Sequence, residues 1–283
     1  MIVTKLDDIL FTLKWPLPVA VIVFFMALFA FVAFKRNHLS VSGSSAAFVS
    51  GVVILYCMRF EGFFIFFWFY ASSNVIGKIS KKRRKADAEE NFEKKGSRRD
   101  WVQVFANGFM AVLCSLLYFN TGSVTAVLMF CASVAEAASD TWAGEIGRLS
   151  KSVPVSIRTF RQVPRGMSGG ITALGIAGGF VASLVIAFFF VIFFPVKRAF
   201  LYAVPVLVSG FAGCLADSWL GATCQALYVN SKGELTEREN DDDGTENRLI
   251  RGIRWLNNDI VNLVSNVFAC VLSAGLSAVI GRC

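Results

Sequence analysis

Carboxylates set inside apolar sequence are the first chemistry this chain offers. Glu136, Asp140 and Glu145 close an apolar run that begins near Val124, where an uncompensated charge among lipid or packed helices is expensive. Glu136 and Asp140 are four residues apart and share one helix face, whereas Glu145 belongs by its spacing to the turn that follows. The core of this stretch returns 77 residues later: Asp217-Ser218-Trp219-Leu220-Gly221 repeats Asp140-Thr141-Trp142-Ala143-Gly144, again after an apolar run. Two helices therefore deliver an aspartate alike, as an internal parallel repeat around Asp140 and Asp217. Converging carboxylates suit Mg²⁺ (or Mn²⁺), which takes oxygen ligands and keeps water or phosphate in its remaining positions. The alternative reading makes Asp140 and Asp217 interfacial caps, or ion-pair partners of Arg148 and Arg161.

Cations and glycines lie between and around these acids. In Val163-Pro164-Arg165-Gly166-Met167-Ser168-Gly169-Gly170 the glycines let backbone amides approach an anion and Arg165 adds a permanent charge. The stretch lacks the Gly-Lys-Ser/Thr ending of a Walker A loop, and close helix packing is the competing account of its glycines. A basic loop over 80–99 contains Lys81-Lys82-Arg83-Arg84-Lys85. Such a cluster anchors topology and attracts anionic membrane lipids by about 1 kcal/mol per charge. Arg98 and Arg99 are its best candidates for a specific phosphate contact, because the chain re-enters the apolar phase there and approaches Asn107. Near the C-terminus Asn257, Asn258 and Asp259 lead into a segment bearing Asn262 and Asn266; Asn258, Asp259 and Asn262 complete a metal or phosphate site, or the amides glue helices together. His38, the sole histidine, is expected far from these candidates, which leaves no Ser-His-Asp or Cys-His mechanism. A polar loop over 226–254, with Asp241-Asp242-Asp243 in a flexible, solvated part at 230–244, is not expected to supply ligands.

The elements that position these groups follow from composition. Of 283 residues 55% are hydrophobic and 17% charged, and the mean hydropathy is +0.59. This excludes an ordinary soluble domain and predicts one all-α, polytopic membrane domain over 1–283. Candidate spans fall at 18–34, 43–58, 62–79, 101–119, 122–142, 169–194, 199–216 and 260–280, about eight in number (six to eight), the second short enough to be re-entrant. Lys5, Asp7 and Asp8, with no small-residue cleavage site after the first apolar segment, predict that this segment stays as a helix. With eight spans, 22 of the 28 Lys and Arg fall in the loops of one side, so the long loops are expected in the cytoplasm and both termini on the opposite side. Seven cysteines without a Cys-x-x-Cys pair read as small packing residues.

Five motifs together resemble a known family: Arg99 to Gly108, Asp140 to Gly147, Pro164 to Gly170, Asp217 to Gln225 and Trp255 to Asn262. They match, in order and over roughly 39–278, the integral membrane family of phytyl phosphate kinase and eukaryotic transmembrane protein 19. The resemblance implies a kinase that converts an isoprenoid monophosphate, phytyl or geranylgeranyl in type, to its diphosphate with Mg²⁺ and CTP or ATP. Asp140, Asp217, Glu145 and Arg165 would then be catalytic. Asp140, Glu145, Asp217, Asp259 and Glu136 would surround the metal, while Arg99, Asn107, Arg161, Gly166, Ser168, Gly169 and Asn258 would bind phosphates. A prenyl-tailed lipid, anionic membrane lipids and a second copy in a homodimer are the expected partners, and nucleic acid is not. Two departures stand out: Ala138-Ser139 replaces an Asn-Gly-like pair, and 229–235 lacks cysteines found in prokaryotic relatives. The rival reading is a transporter of an anionic or lipid-phosphate solute, since parallel repeats bearing carboxylates also describe carriers. A lipid-binding scaffold leaves the repeated aspartates unexplained.

Overall fold

A computed structural model describes residues 2–86, 98–241 and 243–281; most of the basic loop at 80–99, together with Asp242, lies outside them. Among the described residues there are eight helices: α1 (Ile2–Phe11), α2 (Leu17–Lys35), α3 (Val41–Ala86), α4 (Trp101–Thr121), α5 (Val124–Gly147), α6 (Ala173–Phe193), α7 (Ala199–Thr223) and α8 (Asn258–Ile280). Seven of them, α2 to α8, are long and apolar enough to cross a membrane.

The expected second and third spans are one element, α3, broken at Arg59 (φ 60°, ψ −165°). Its 46 residues would extend about 69 Å if straight, over twice the hydrocarbon thickness of about 30 Å. The break turns the chain back, so that Gly43 at one end and Gly77 and Lys78 at the other both reach the same end of the bundle. The short helix α1, which lies outside the predicted spans, secures this turn. Asp7 Oδ1 accepts the Phe60 N–H at 3.1 Å, and the Arg59 guanidinium lies 3.7 Å from the Phe11 ring centre.

Helix α5 is the axis of the bundle, packed against α3, α4, α6, α7 and α8. Its run of small residues from Ala132 to Ser139 is buried, which lets neighbouring backbones approach closely. Gly213 of α7 is required at this contact, because a Cβ there would stand 2.5 Å from Glu136 Cγ. Gly175 does the same for α6: a Cβ would meet the Ala143 carbonyl at 2.7 Å. That contact carries α5 and α6 together beyond the apolar core. Helix α5 continues to Gly147 and α7 to Thr223, past the predicted ends at 142 and 216. Glu145, expected in a turn, is helical.

Side-chain caps fix where the helices begin. Asp100 and Gln103 form a reciprocal box at α4, with the Gln103 N–H donating to Asp100 Oδ1 at 3.0 Å. Thr172 caps α6 and Asn257 caps α8 through hydrogen bonds at 3.1 Å. Two small sheets complete the end of the bundle where these caps lie: β1 (Val155–Ser156) with β2 (Gly170–Ile171), and β3 (Leu227–Val229) between β4 (Leu235–Thr236) and β5 (Arg248–Arg251), all antiparallel. The polar loop at 226–254, expected to be flexible over 230–244, carries this three-stranded sheet, with β4 inside that stretch. Among the described residues six cysteines are free and five of them buried, including Cys131 and Cys270 in the core.

Candidate active site

A cavity of about 920 Å³ opens at the capped end of the bundle. Asp140 stands about two turns before the end of α5, and Asp217 about two turns before the end of α7. Both line the cavity, with Asp259 from the first turn of α8 and Glu145 from the last turns of α5.

A hydrogen-bonded layer beneath the cavity supports these acids. Glu136 is fully buried; its Oε1 accepts the Ser265 hydroxyl and its Oε2 the Asn266 amide, each at 2.7 Å. The Ser133 hydroxyl in turn donates to Asn266 Oδ1 at 2.6 Å. Ser265 also lies 3.3 Å from Asp217 Oδ2, and its single proton serves one carboxylate at a time. With its amide nitrogen toward Asp217, Asn262 donates to that Oδ2 and to the Asn258 carbonyl, both at 2.9 Å. Glu136, expected among the metal ligands, therefore does not reach the cavity: both of its oxygens are taken by α8.

Glu145 differs from it. One oxygen lies 3.7 Å from Arg148 Nη1, while the other, Oε2, is buried with no hydrogen-bond partner among the described residues. A buried carboxylate oxygen left in this state is costly unless a ligand meets it. Among the described residues no three His, Cys, Asp or Glu side chains form a ready-made metal cluster. The donor set of Asp140, Asp217, Asp259 and Glu145 nevertheless fits a hard cation of the Mg²⁺ type, which is held by one or two carboxylates and completed by water and substrate phosphate.

The glycine stretch forms a second wall. Gly166 (φ 85°) and Gly169 (φ 79°) take the left-handed backbone that glycine alone adopts without strain, and a Cβ on Gly169 would stand 2.5 Å from the Ala222 nitrogen. Arg165, Gly166, Ser168 and Gly169 all line the cavity. Arg165 is steered by the Ser150 and Lys151 carbonyls, to which it donates at 2.8 and 3.2 Å. Glu237 of the small sheet closes onto this loop: it accepts the Ser168 N–H at 2.9 Å and the Ser168 hydroxyl at 3.1 Å, and Gln225 Nε2 also donates to it. Glu237→Ala leaves these donors unmet and is expected to destabilise the protein by about 1–3 kcal/mol, read as a lower thermal midpoint in detergent and faster protease cleavage within 226–254.

A third wall is cationic. The strand-like pairing of Leu39 with Arg99 joins the loop after α2 to the start of α4, with Arg99 N–H donating to the His38 carbonyl at 3.1 Å and Ser40 N–H to the Arg99 carbonyl at 3.0 Å. This pairing brings Arg36, His38 and Arg99 to the cavity, where Lys78 of α3 joins them. Burial lowers the Arg99 pKa, and the Glu145 and Asp140 carboxylates oppose that shift; the guanidinium stays charged. Burial lowers the His38 pKa too, reinforced by Lys78, Arg36 and Arg99, so its ring is neutral at neutral pH. Its Nδ1 lies 2.9 Å from the Tyr70 hydroxyl. The expectation that His38 lies far from the other candidates is thus corrected.

Asn258 also lines the cavity. Asn107 and Arg161 do not. Asn107 faces a separate apolar slot and donates to the Gln103 carbonyl at 3.0 Å, while Arg161 is exposed on the turn after β1, its carbonyl bound to the Ser156 N–H at 2.9 Å.

These features define a helical integral membrane protein with an acidic, a glycine-rich and a cationic wall around a single cavity. The chain belongs to the integral membrane protein family DUF92, which matches it over residues 24–270, and this is the family that its motifs resemble. It is 29% identical to Protein PGR of Arabidopsis thaliana over 88% of this chain and 92% of that one. It is 28% identical to the chloroplast Protein VTE6 of the same plant, over 80% of this chain and 62% of that one. An uncharacterised membrane protein of Methanocaldococcus jannaschii is 27% identical over 84% of this chain and 85% of its own. No solved structure matches the chain.

Proposed function

We propose that the protein is a Mg²⁺-dependent membrane kinase that converts an isoprenoid monophosphate to its diphosphate with CTP or ATP. One observation carries this reading: a single cavity is lined by Asp140, Glu145, Asp217 and Asp259 on one side and by Arg99, Arg165 and the glycine loop on the others. Acids next to phosphate-binding groups are what phosphoryl transfer needs, since its catalysis is positioning and charge neutralisation. Family membership alongside phytyl phosphate kinase supports the same chemistry. By the positive-inside rule the cavity faces the cytoplasm, where nucleotides are, and the termini lie on the other side.

An oxygen of the lipid monophosphate is already anionic and attacks the γ-phosphorus directly; no base is required. The new P–O bond forms as the bond from the γ-phosphorus to the β,γ-bridging oxygen breaks, and the nucleoside diphosphate leaves with that electron pair. Asp140, Glu145 and Asp217, with Asp259 beside them, would hold the cation, which when bound neutralises charge on the nucleotide phosphates. Arg99 orients the lipid phosphate, and Arg165 with the amides of the glycine loop orients the nucleotide phosphates. Asn258 supports the acidic wall through its carbonyl.

Gly43 tests the role of Arg99 indirectly. A Cβ at Gly43 would collide with the Arg99 carbonyl oxygen, so Gly43→Ala shifts the arginine. The expected result is a KM for the lipid phosphate raised about tenfold, the scale of one charge-assisted hydrogen bond, with the nucleotide KM unchanged in steady-state kinetics. The kinase reading itself is tested against the carrier by reconstituting the protein in liposomes. Chelator-sensitive formation of lipid diphosphate supports the kinase; uptake of lipid phosphate or another anion, without chemical change, replaces it with the carrier.

A further inference from the structure

The small sheet also reaches the cavity. Glu237, Arg238 and Glu239 follow β4 directly and all three line it, yet Arg238 has no part in the chemistry described so far. Its neighbours are tied on both sides. Glu237 accepts the Ser168 N–H at 2.9 Å and the Ser168 hydroxyl at 3.1 Å, which fastens the chain to the glycine loop. Glu239 accepts from Arg254 Nε at 2.6 Å, which fastens it to the approach of α8. Arg238 therefore sits between the loop that suits phosphate and the helix whose first turn supplies Asp259 to the acidic wall.

Its backbone is pinned as well. The Arg238 N–H donates to Thr236 Oγ1 at 3.2 Å, and its carbonyl accepts the Asn247 side-chain amide at 3.1 Å. Asn247 is buried, and its own N–H donates to the Glu239 carbonyl at 2.8 Å. The sheet behind this segment is rooted in the bundle: the Ile253 N–H donates to the Cys224 carbonyl at 2.9 Å, and the Ala226 N–H to the Leu256 carbonyl at 3.0 Å. A half-buried arginine is thus presented to the cavity from an ordered support, the arrangement in which a fixed charge acts on a reacting group without first having to be organised.

We infer that Arg238 is a further catalytic residue of the phosphoryl transfer, its guanidinium donating to the equatorial oxygens of the γ-phosphoryl group as that group passes from nucleotide to lipid phosphate. The inference rests on the kinase reading. The bond from the lipid phosphate oxygen to the γ-phosphorus forms as the bond to the β,γ-bridging oxygen breaks, and the nucleoside diphosphate keeps that electron pair. Arg238 gives up no proton; its planar fork of N–H groups spreads the charge on the oxygens in flight. Arg165 and Arg99 hold the two substrates before reaction, whereas Arg238 serves the transition state, so its loss should fall on kcat rather than on KM. The competing role is a counter-ion for the acidic wall. That role has another signature, because removing a counter-ion leaves kcat intact and tightens the hold of the acids on Mg²⁺.

The test is steady-state kinetics of the purified full chain in nanodiscs with Mg²⁺, CTP or ATP, and geranylgeranyl monophosphate. Arg238→Ala should lower kcat by at least about a hundredfold while the KM for each substrate and the thermal midpoint stay close to wild type. Guanidinium ion added at millimolar concentration should recover part of that loss, and none of the loss in Asp140→Asn. Arg238→Lys keeps the charge and loses the fork; its kcat should fall between those of Arg238→Ala and wild type, and it decides the matter alone, by a lowered kcat at unchanged KM, if Arg238→Ala does not fold. A kcat near wild type in the folded variants, with Mg²⁺ half-saturation at lower concentration, overturns the inference and makes Arg238 a counter-ion. A lowered kcat in Arg238→Ala that guanidinium does not recover overturns it too. Wild-type protein that transfers no phosphate removes the kinase reading itself, whereas wild-type turnover matched by both variants removes Arg238 alone.

Discussion

Asp140→Asn is expected to give a folded protein that transfers essentially no phosphate. The substitution keeps shape and removes one charge from the acidic wall, where Asp140 lines the cavity with Asp217 and Asp259. Groups that neutralise charge in phosphoryl transfer are worth about 10³–10⁵ in rate, so turnover should fall at least about a thousandfold. The thermal midpoint should hold near wild type, because the side chain borders an open cavity rather than the packed layer beneath. Raised Mg²⁺ should recover part of the lost activity if Asp140 holds the ion. Turnover near the wild-type rate would remove Asp140 from the site.

Glu136→Ala should have the opposite signature, with stability lost first. Deleting the carboxylate strands one N–H of the buried Asn266 amide, worth about 1–3 kcal/mol when unmet, leaves the Ser265 hydroxyl to Asp217 and the Asn262 carbonyl, and opens a void under Gly213. A loss of about 3 kcal/mol or more is expected as a lowered unfolding midpoint. Glu136→Gln separates support from ligation. It fills the same volume and keeps one acceptor, so the protein should survive with a Mg²⁺ half-saturation close to wild type, whereas Asp217→Asn should raise it strongly. An equal rise in Glu136→Gln would return Glu136 to the metal.

The contrast between these two acids explains what the sequence can disclose. Glu136 and Asp140 read alike, as carboxylates one helical turn apart in apolar surroundings. Which of them faces open space is decided by Ser265 and Asn266, more than 120 residues away, and no local pattern carries that information. The all-α membrane class was legible because apolar runs have the length that a bilayer demands. Helix ends were less so: α5 runs on through polar residues because Gly175 lets α6 pack against it beyond the core, and α7 runs on with Gly221 against Ser168 and Gly169. The glycine loop and Arg165, singled out by residue type, and Arg99, singled out at a re-entry point, all line the cavity.

Errors came where chain proximity stood in for proximity in space. Arg161 is four residues from Arg165 in sequence but points to solvent at the turn after β1, and Asn107, about two turns beyond the α4 cap, faces the apolar slot. His38 came into the site through the pairing of Leu39 with Arg99. Glu237 was missed because acidic, polar sequence reads as solvated loop, and Gln225 closed a family-like motif without being given a role. A signal did exist in the short apolar run from Ala226 to Val229, bounded by polar turn residues, which fits a buried strand rather than a solvated loop.

The most direct test of the central claim is phosphoryl transfer itself. Purified protein in detergent, supplied with Mg²⁺, CTP or ATP labelled at the γ-phosphate, and geranylgeranyl or phytyl monophosphate, is followed by chromatography of the lipid product. The account predicts label in the lipid diphosphate, abolished by a chelator and restored by Mg²⁺. Folded protein that moves no label onto any prenyl phosphate, with either nucleotide and with the metal present, would contradict it.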